Sequence, residues 1–268
     1  MTMVGVQIRR LTPADVPACQ ELSADRRWLR EDRRWALLID VAEVYGIDAP
    51  DGGLAGAVTL TRYDTHAAIG MMLVAARYER QGLGRALMSH AMAAAGGPVC
   101  LRATDNGRPL YERLGFVADG SSVTYLGTLA GDRPDLPPTR PAGPADLPEI
   151  LRLDADAFGA DRSRLLRRVA GFGRLRLAAG GYGASWRNGS YRLLGPVVAE
   201  DVATAIALCT DLASDGPIRL DIASTQPEFE DWAAGRLTRR ERVTLMSANG
   251  TAPGDVKRLF TPFSVATD

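Results

Sequence analysis

The sequence predicts an α+β protein built from two similar halves. Three observations lead there. At 268 residues the chain exceeds the usual size of a single hydrophobic core. Strand and helix periodicities alternate along the first half. The opening of that half is then echoed past a proline-rich break: Arg9-Arg10-Leu11-Thr12-Pro13-Ala14-Asp15 returns as Arg140-Pro141-Ala142-Gly143-Pro144-Ala145-Asp146. In each copy a strand leads into Pro-Ala-Asp, whose aspartate can cap the helix that follows. Gly115 and Gly235, and Val123-Thr124 and Val243-Thr244, recur at one constant offset, which suggests duplication. The break, Gly131 to Pro138, is polar and proline-rich, so it reads as a linker. The chain divides into residues 1–129, a linker at 130–138, and residues 139–268.

The elements of the first half follow in order. Val6-Gln7-Ile8-Arg9 reads as a strand, and Asp15 to about Leu22 and Arg26 to about Ala42 read as helical. Ala55 to Thr61 and Ala67 to Val74 are apolar strands, the first preceded by an Asp51-Gly52-Gly53 turn. Gly82 to Ala95 is a helix, Val99 to Thr104 a strand, and Arg108 to Leu114 a short helix; a final strand ends at Tyr125.

Composition narrows the function classes. The hydrophobic fraction of 46% lets both halves bury a core. A net charge of zero argues against nucleic acid or an anionic membrane surface as the main partner. Cys19, Cys100 and Cys209 are an odd, widely spaced set, and His66 and His90 complete no zinc pattern, so no metal is expected. With no signal-peptide run and no segment of membrane-spanning length, the expectation is a cytoplasmic protein; a homodimer is left open.

The most informative stretch is Met72 to Met88, an apolar strand, a basic turn with two glycines, then an apolar helix. Such a turn leaves the first helical amides unpaired and aims them, with the positive end of the dipole, at one small volume. That is a ready site for phosphate or pyrophosphate, and Arg80 and Arg85 add full charges. Neither Lys nor Ser/Thr follows Gly84, so this is no nucleoside-triphosphate P-loop. A dinucleotide fingerprint fails as well, because Leu87 stands where the third glycine belongs and Asp105 sits in a turn.

Gln81-Gly82-Leu83-Gly84 after Val74 instead resembles the acyl-CoA cradle of the GNAT N-acetyltransferases. Leu101 to Phe116 resembles the second signature of that family: a strand, Asn106, a helix carrying Leu110-Tyr111-Glu112-Arg113, then Leu114-Gly115-Phe116. The resemblance implies tandem GNAT folds, each a mixed, mostly antiparallel sheet flanked by helices. It implies acetyl-CoA as co-substrate, held by Leu73, Val74, Arg80, Gln81, Gly82, Leu83, Gly84, Arg85 and Asn106. The strand ending at Val74 and that holding Leu101-Arg102 would splay apart, with pantetheine between them. Glu79 departs from the family, which prefers Gln or Arg there. A carboxylate near pyrophosphate is unfavourable, so Glu79 is expected to point away or to weaken affinity.

Amide formation needs a neutral amine and a protonated leaving thiol. Tyr111 matches the family position whose phenol reaches the thioester sulfur and is the general-acid candidate. The general base is open: His66 and Asp64 precede the cradle strand, Glu43 lies in the expected helical acceptor region, and water alone could serve. Trp28 and Trp35, seven residues apart, share a helical face that either walls the acceptor pocket, with Arg26 or Arg30 reading a carboxylate, or packs in the core.

The second half lacks the chemistry. At its equivalent of the cradle, Leu194 to Ala203 runs straight from strand into helix, with Glu200 and Asp201 where phosphate would sit. Gln226 falls opposite Asn106 and Asp231 opposite Tyr111. This half resembles the degenerate C-terminal domain of some GNAT enzymes, expected to shape the acceptor pocket. The leading expectation is acetyl transfer to a small-molecule amine; a protein lysine or N-terminal acetyltransferase and a non-catalytic acyl-CoA-binding protein are the alternatives.

Overall fold

A computed structural model describes residues 6–28, 33–129, 135–213, 216–251, 253–264 and 266–267. In the first half, β1 (Arg9–Arg10), α1 (Val16–Asp25) and α2 (Arg34–Val41) precede three antiparallel strands, β2 (Glu43–Asp48), β3 (Leu54–Arg62) and β4 (Ala67–Val74). The cradle helix α3 (Leu83–Ala95), β5 (Val99–Ala103), α4 (Arg108–Arg113) and β6 (Val117–Gly127) complete it. The second half repeats the order with β7 (Thr139–Pro141), α5 (Leu147–Phe158), α6 (Ser163–Ala170), β8 (Arg174–Ala178), β9 (Gly181–Asn188) and β10 (Tyr191–Val198). It ends with α7 (Val202–Leu212), β11 (Ile218–Ala223), α8 (Pro227–Ala234), β12 (Thr238–Ala248) and the short β13 (Leu259–Thr261).

The halves share one sheet. Its order is β1-β2-β3-β4-β5-β12-β6-β11-β10-β9-β8-β7, with β13 on β10. Only β4–β5 and β10–β11 pair in parallel among the described strands. The last long strand of each half has crossed over. β12 lies between β5 and β6, and β6 lies between β12 and β11. Val123 pairs with Arg242 and Ser122 with Val243, so the recurring Val-Thr segments meet where these two strands cross.

Exchange of strands mixes the cores. Met246 and Ala248 of β12 pack with Leu87, Leu101 and Phe116, while Val123 and Tyr125 of β6 pack with Leu208, Ile222 and Phe229. Leu37, Val41 and Ala42, from α2 and its end, lie in a core drawn mostly from the second half, with Ile150, Trp186 and Phe263. Each half therefore buries part of the other's apolar surface, worth about 1.5–3 kcal/mol per large side chain.

The repeated Pro-Ala-Asp is a structural repeat with a different function from a forward helix cap. Asp15 accepts from the Thr12 amide three residues back, and Asp146 accepts from that of Gly143. Each also pairs with the arginine of its preceding strand, Arg9–Asp15 at 2.7 Å and Arg140–Asp146 at 2.6 Å. Those guanidinium hydrogen bonds, with the backbone bonds, hold both carboxyls down at about 2.

Two helical expectations fail locally. Residues 26–28 are not helical, Leu29 to Asp32 lie outside the described residues, and α2 starts only at Arg34. Trp28 and Trp35 therefore share no helical face. Trp35 is buried and donates to Ser23 Oγ at 2.8 Å, whereas Trp28 is 39% exposed. Glu43 belongs to strand β2. At the N-terminus, β1 holds Arg9–Arg10, leaving Val6 to Ile8 outside the sheet.

Candidate active site

The cleft originates in a fault in the sheet. β4 and β5 pair only through Ala67–Val99, Ala68–Cys100 and Ile69–Leu101, and then separate. On the other side of β4 the register with β3 slips between Thr59–Gly70 and Ala57–Leu73, and Met71 takes a positive φ of 46°. Two residues of β4 thus oppose one of β3, a bulge that bends the strand and turns it away from β5. The gap opens beside Met72, Leu73 and Val74, which line it.

The cradle closes the far end of this gap. Gly82 sits at φ 85°, a left-handed conformation that glycine adopts without steric cost, and caps α3 with no side chain. The first carbonyl of the helix is taken by Ala86 N–H, leaving the amides of Leu83, Gly84 and Arg85 at its positive end. A side chain on Gly84 would stand 3.4 Å from Leu110 and Met72, in the throat of the cleft. The cleft has a volume of about 1150 Å³.

Most of the expected residues converge here. Leu73, Val74, Arg80, Gly82, Leu83, Gly84, Arg85, Asn106 and Tyr111 all line the cleft. Gln81 is the exception among them: it is exposed outside the lining, with Nε2 turned back to the Arg77 carbonyl at 3.4 Å. Glu79 lies at the rim with Arg26, which binds it at 2.6 Å. Arg26 is thus engaged by a carboxylate of this chain, and Arg30 lies outside the described residues.

A second, smaller pocket of about 310 Å³ adjoins the first. Trp28, Met72, Thr104, Tyr111 and Glu241 line both, which places them at the junction. Tyr111 is 7% exposed, and burial pushes its hydroxyl up to about 12. It is therefore a protonated phenol at neutral pH, able to donate.

The floor of the smaller pocket is the crossover itself. Glu241 of β12 pairs with Thr124 of β6, and Thr124 pairs with Asp221 of β11, giving one row across three strands. Thr124 Oγ1 donates to the buried Asp221, and Arg219 Nε approaches that carboxylate at 3.0 Å. Burial pushes the Asp221 carboxyl up, but Arg219, Thr124 and nearby Arg102 outweigh it and leave it below its ordinary value. Arg34 and Arg102 also line the pocket. The opposite wall is the C-terminal segment: Ala266 lies so close to Gly70 that a Cβ there would meet its carbonyl oxygen at 2.4 Å.

None of the three side chains weighed as a base from the sequence reaches either cavity. His66 is buried among Tyr63 and Phe158, with ring centroids 5.0 and 5.5 Å away. Asp64 accepts from the Asp161 amide across the two halves at 3.1 Å. Glu43 is bound by Tyr45 and by Arg62. Sequence reasoning missed Glu241, Thr124, Arg219 and Asp221, because only the exchange of β6 and β12 aligns Thr124 of the first half with the other three, which come from the second; the recurring Val-Thr offset signalled equivalence without signalling exchange.

The second half repeats this fault and fills it. β10 and β11 pair over Arg192–Ile218 to Leu194–Leu220 and then part, as β4 and β5 do. Here β13 enters, pairing Thr261 with Val197. Gln226, opposite Asn106 in the repeat, holds the approach to β13 by donating to the carbonyls of Val256 and Lys257 at 3.0 and 2.9 Å. Asp201 caps α7 by accepting from Thr204 N–H at 2.7 Å, so the helix start that would face phosphate already holds a carboxylate. Asp231, opposite Tyr111, lies in α8.

A parallel pair that splays beside a bulged strand recurs in both halves, and in the first a glycine-started helix faces the gap. Two families, each described as an Acetyltransferase (GNAT) domain, match residues 41–118 and 150–261. The chain belongs to the GNAT family as a tandem protein and is an N-acetyltransferase of that type. It is 28% identical over 213 residues to the uncharacterized N-acetyltransferase YitH of Bacillus subtilis, covering 73% of this chain and 74% of YitH. A Pyrococcus horikoshii protein classed as an acetyltransferase superposes with a TM-score of 0.88 at 19% identity, covering 100% of this chain and 98% of that one. A tandem GNAT protein from the clavulanic acid biosynthesis pathway gives 0.63 at 16% identity, covering 92% and 100%. At these identities the structures establish the fold.

Among the described residues no group of three or more His, Cys, Asp or Glu side chains could hold a metal ion. No described helix is long and apolar enough to cross a membrane.

Proposed function

We propose that the chain transfers an acetyl group from acetyl-CoA to the primary amine of a small molecule. The first half holds the donor and the acid, and the second shapes the acceptor pocket. One observation carries this reading: a large open cleft ending at an anion cradle meets a small, walled pocket at Tyr111. The cleft suits a long anionic donor, with the amides of Leu83, Gly84 and Arg85 and the charges of Arg80 and Arg85 at the pyrophosphate. Leu73 and Val74 offer backbone to pantetheine, and Asn106 a polar side chain along the same arm. The smaller pocket is at the lower end of ligand-pocket volumes, which favours a compact amine over a peptide.

Tyr111 gives its proton to the departing sulfur. Its place at the junction of the two cavities supports that role, and its hydroxyl is protonated at neutral pH. Cys19, Cys100 and Cys209 are thiols rather than disulfides, which supports a reducing, cytoplasmic setting.

The test is calorimetry with acetyl-CoA together with a thiol-release screen over amines and peptides. Binding with turnover on small amines supports the reading. Turnover confined to peptides would replace it with a protein acetyltransferase, and binding without turnover on anything would leave an acyl-CoA-binding protein.

A further inference from the structure

We infer that Glu241, carried into the first half's site by the exchanged strand β12, is the general base of the reaction. The inference rests on the transfer reaction proposed above. An amine attacking the thioester must do so at the junction of the two cavities. Among the five described residues that line both, Trp28, Met72 and Thr104 carry no side chain suited to acid–base work, leaving Tyr111 and Glu241. Among the described residues of the smaller pocket, Glu241 is the single carboxylate, and no histidine lines it. A carboxylate and a buried phenol at one junction divide the labour that amide formation requires: one accepts a proton, the other donates.

The backbone holds Glu241 firmly although its side chain is exposed. It pairs with Thr124 in the central part of the sheet, where a register shift between Arg239 and Glu241 marks a bulge in β12. Bulges commonly re-aim side chains beside active sites. Asp221, the next carboxylate along the row, is already engaged by Thr124 and Arg219.

The protons balance. Glu241 takes one from the ammonium group, directly or through a water, and passes it to solvent. The neutral nitrogen forms a bond to the thioester carbonyl carbon, and the carbon–sulfur bond breaks. The sulfur leaves with the proton of Tyr111, and the nitrogen's second proton replaces it on the phenol. The products are the amide, the CoA thiol and one released proton. The acid and the base thus come from opposite halves, and neither half holds the pair alone.

The test is the pH profile of amine-dependent thiol release by the wild-type chain, Glu241→Gln and Glu241→Asp. Glu241→Gln is expected to lower kcat/KM about 100-fold at pH 7, the low end for a general base, while still binding acetyl-CoA. The deficit should shrink as the pH rises towards the amine's own pKa, where the substrate arrives neutral. Glu241→Asp should recover part of the loss. A Glu241→Gln profile parallel to wild type at every pH, whether equal or uniformly lower, would overturn the inference while leaving the transfer reaction standing. A wild-type chain that releases no thiol with any amine would overturn both.

Discussion

Arg26 holds Glu79 at 2.6 Å on the rim of the larger cleft, and so neutralises the one residue of the glycine turn that departs from the family pattern. Both side chains keep some contact with solvent, so the pair is worth at most about 1 kcal/mol. Arg26→Ala, which leaves Glu79 uncompensated, should weaken acetyl-CoA about threefold to fivefold by calorimetry. Glu79→Gln in the same background should restore it. An unchanged affinity in Arg26→Ala would mean that Glu79 does not act on the cofactor.

Gly84→Asp should remove acetyl-CoA binding. Its carboxylate would stand at the start of α3, where the amides and the helix dipole otherwise favour an anion. Gly84→Ala is the matched control, because its Cβ makes only close contact with Leu110 and Met72. Affinity surviving in the aspartate variant, measured by calorimetry, would place the pyrophosphate elsewhere.

Tyr111→Phe should lower kcat about 100-fold with little change in the acetyl-CoA dissociation constant, the low end for a lost general acid. The same substitution has a stability signature. The folded-state hydroxyl, raised by burial to about 12, lies above the unfolded value near 10. Its stabilising effect is therefore fully present below about pH 10 and is lost as pH rises through about 12. Chemical denaturation across that window should show the wild type losing stability that Tyr111→Phe retains.

Gly70→Ala should act on the acceptor pocket. The new methyl would collide with the backbone of Ala266, which cannot yield without moving the C-terminal wall. Overpacking of this kind costs about 1–3 kcal/mol. The amine KM should rise about tenfold while acetyl-CoA affinity stays within about twofold, a split readable from steady-state kinetics alongside calorimetry.

Acetyl-CoA should bind at one molecule per chain. In the second half β13 occupies the gap between β10 and β11, and Asp201 caps the helix that would receive phosphate. Calorimetric stoichiometry near two would show that β13 yields to the cofactor.

The cradle was legible because its parts are neighbours in the chain. Gly82, Gly84 and the amides of α3 act through backbone conformation set within a few residues, so their spacing alone marks an anion-accepting helix start. Asn106 and Tyr111 were legible for a similar reason, as parts of one strand-to-helix unit. Gln81 shows the limit of spacing: it stands in the motif, yet its side chain folds back on Arg77. Trp28 and Trp35 show another, since a seven-residue interval places two side chains on one face only if a helix spans it.

By itself, the sequence determined the duplicated α+β order, and it singled out the glycine turn before α3 and Tyr111 as candidates, which the fold brings to one cleft. Local backbone geometry and side-chain period suffice for each of those. Tertiary structure alone decided which strands complete which half, and therefore that Glu241 and Tyr111 line the same junction and that Ala266 walls the pocket. Sheet pairing joins residues more than a hundred positions apart, as Thr124 and Glu241 are, and no spacing rule reaches that far. The choice between a strand kept and a strand exchanged rests on the burial of apolar side chains from both halves in shared cores, a property of the assembled sheet.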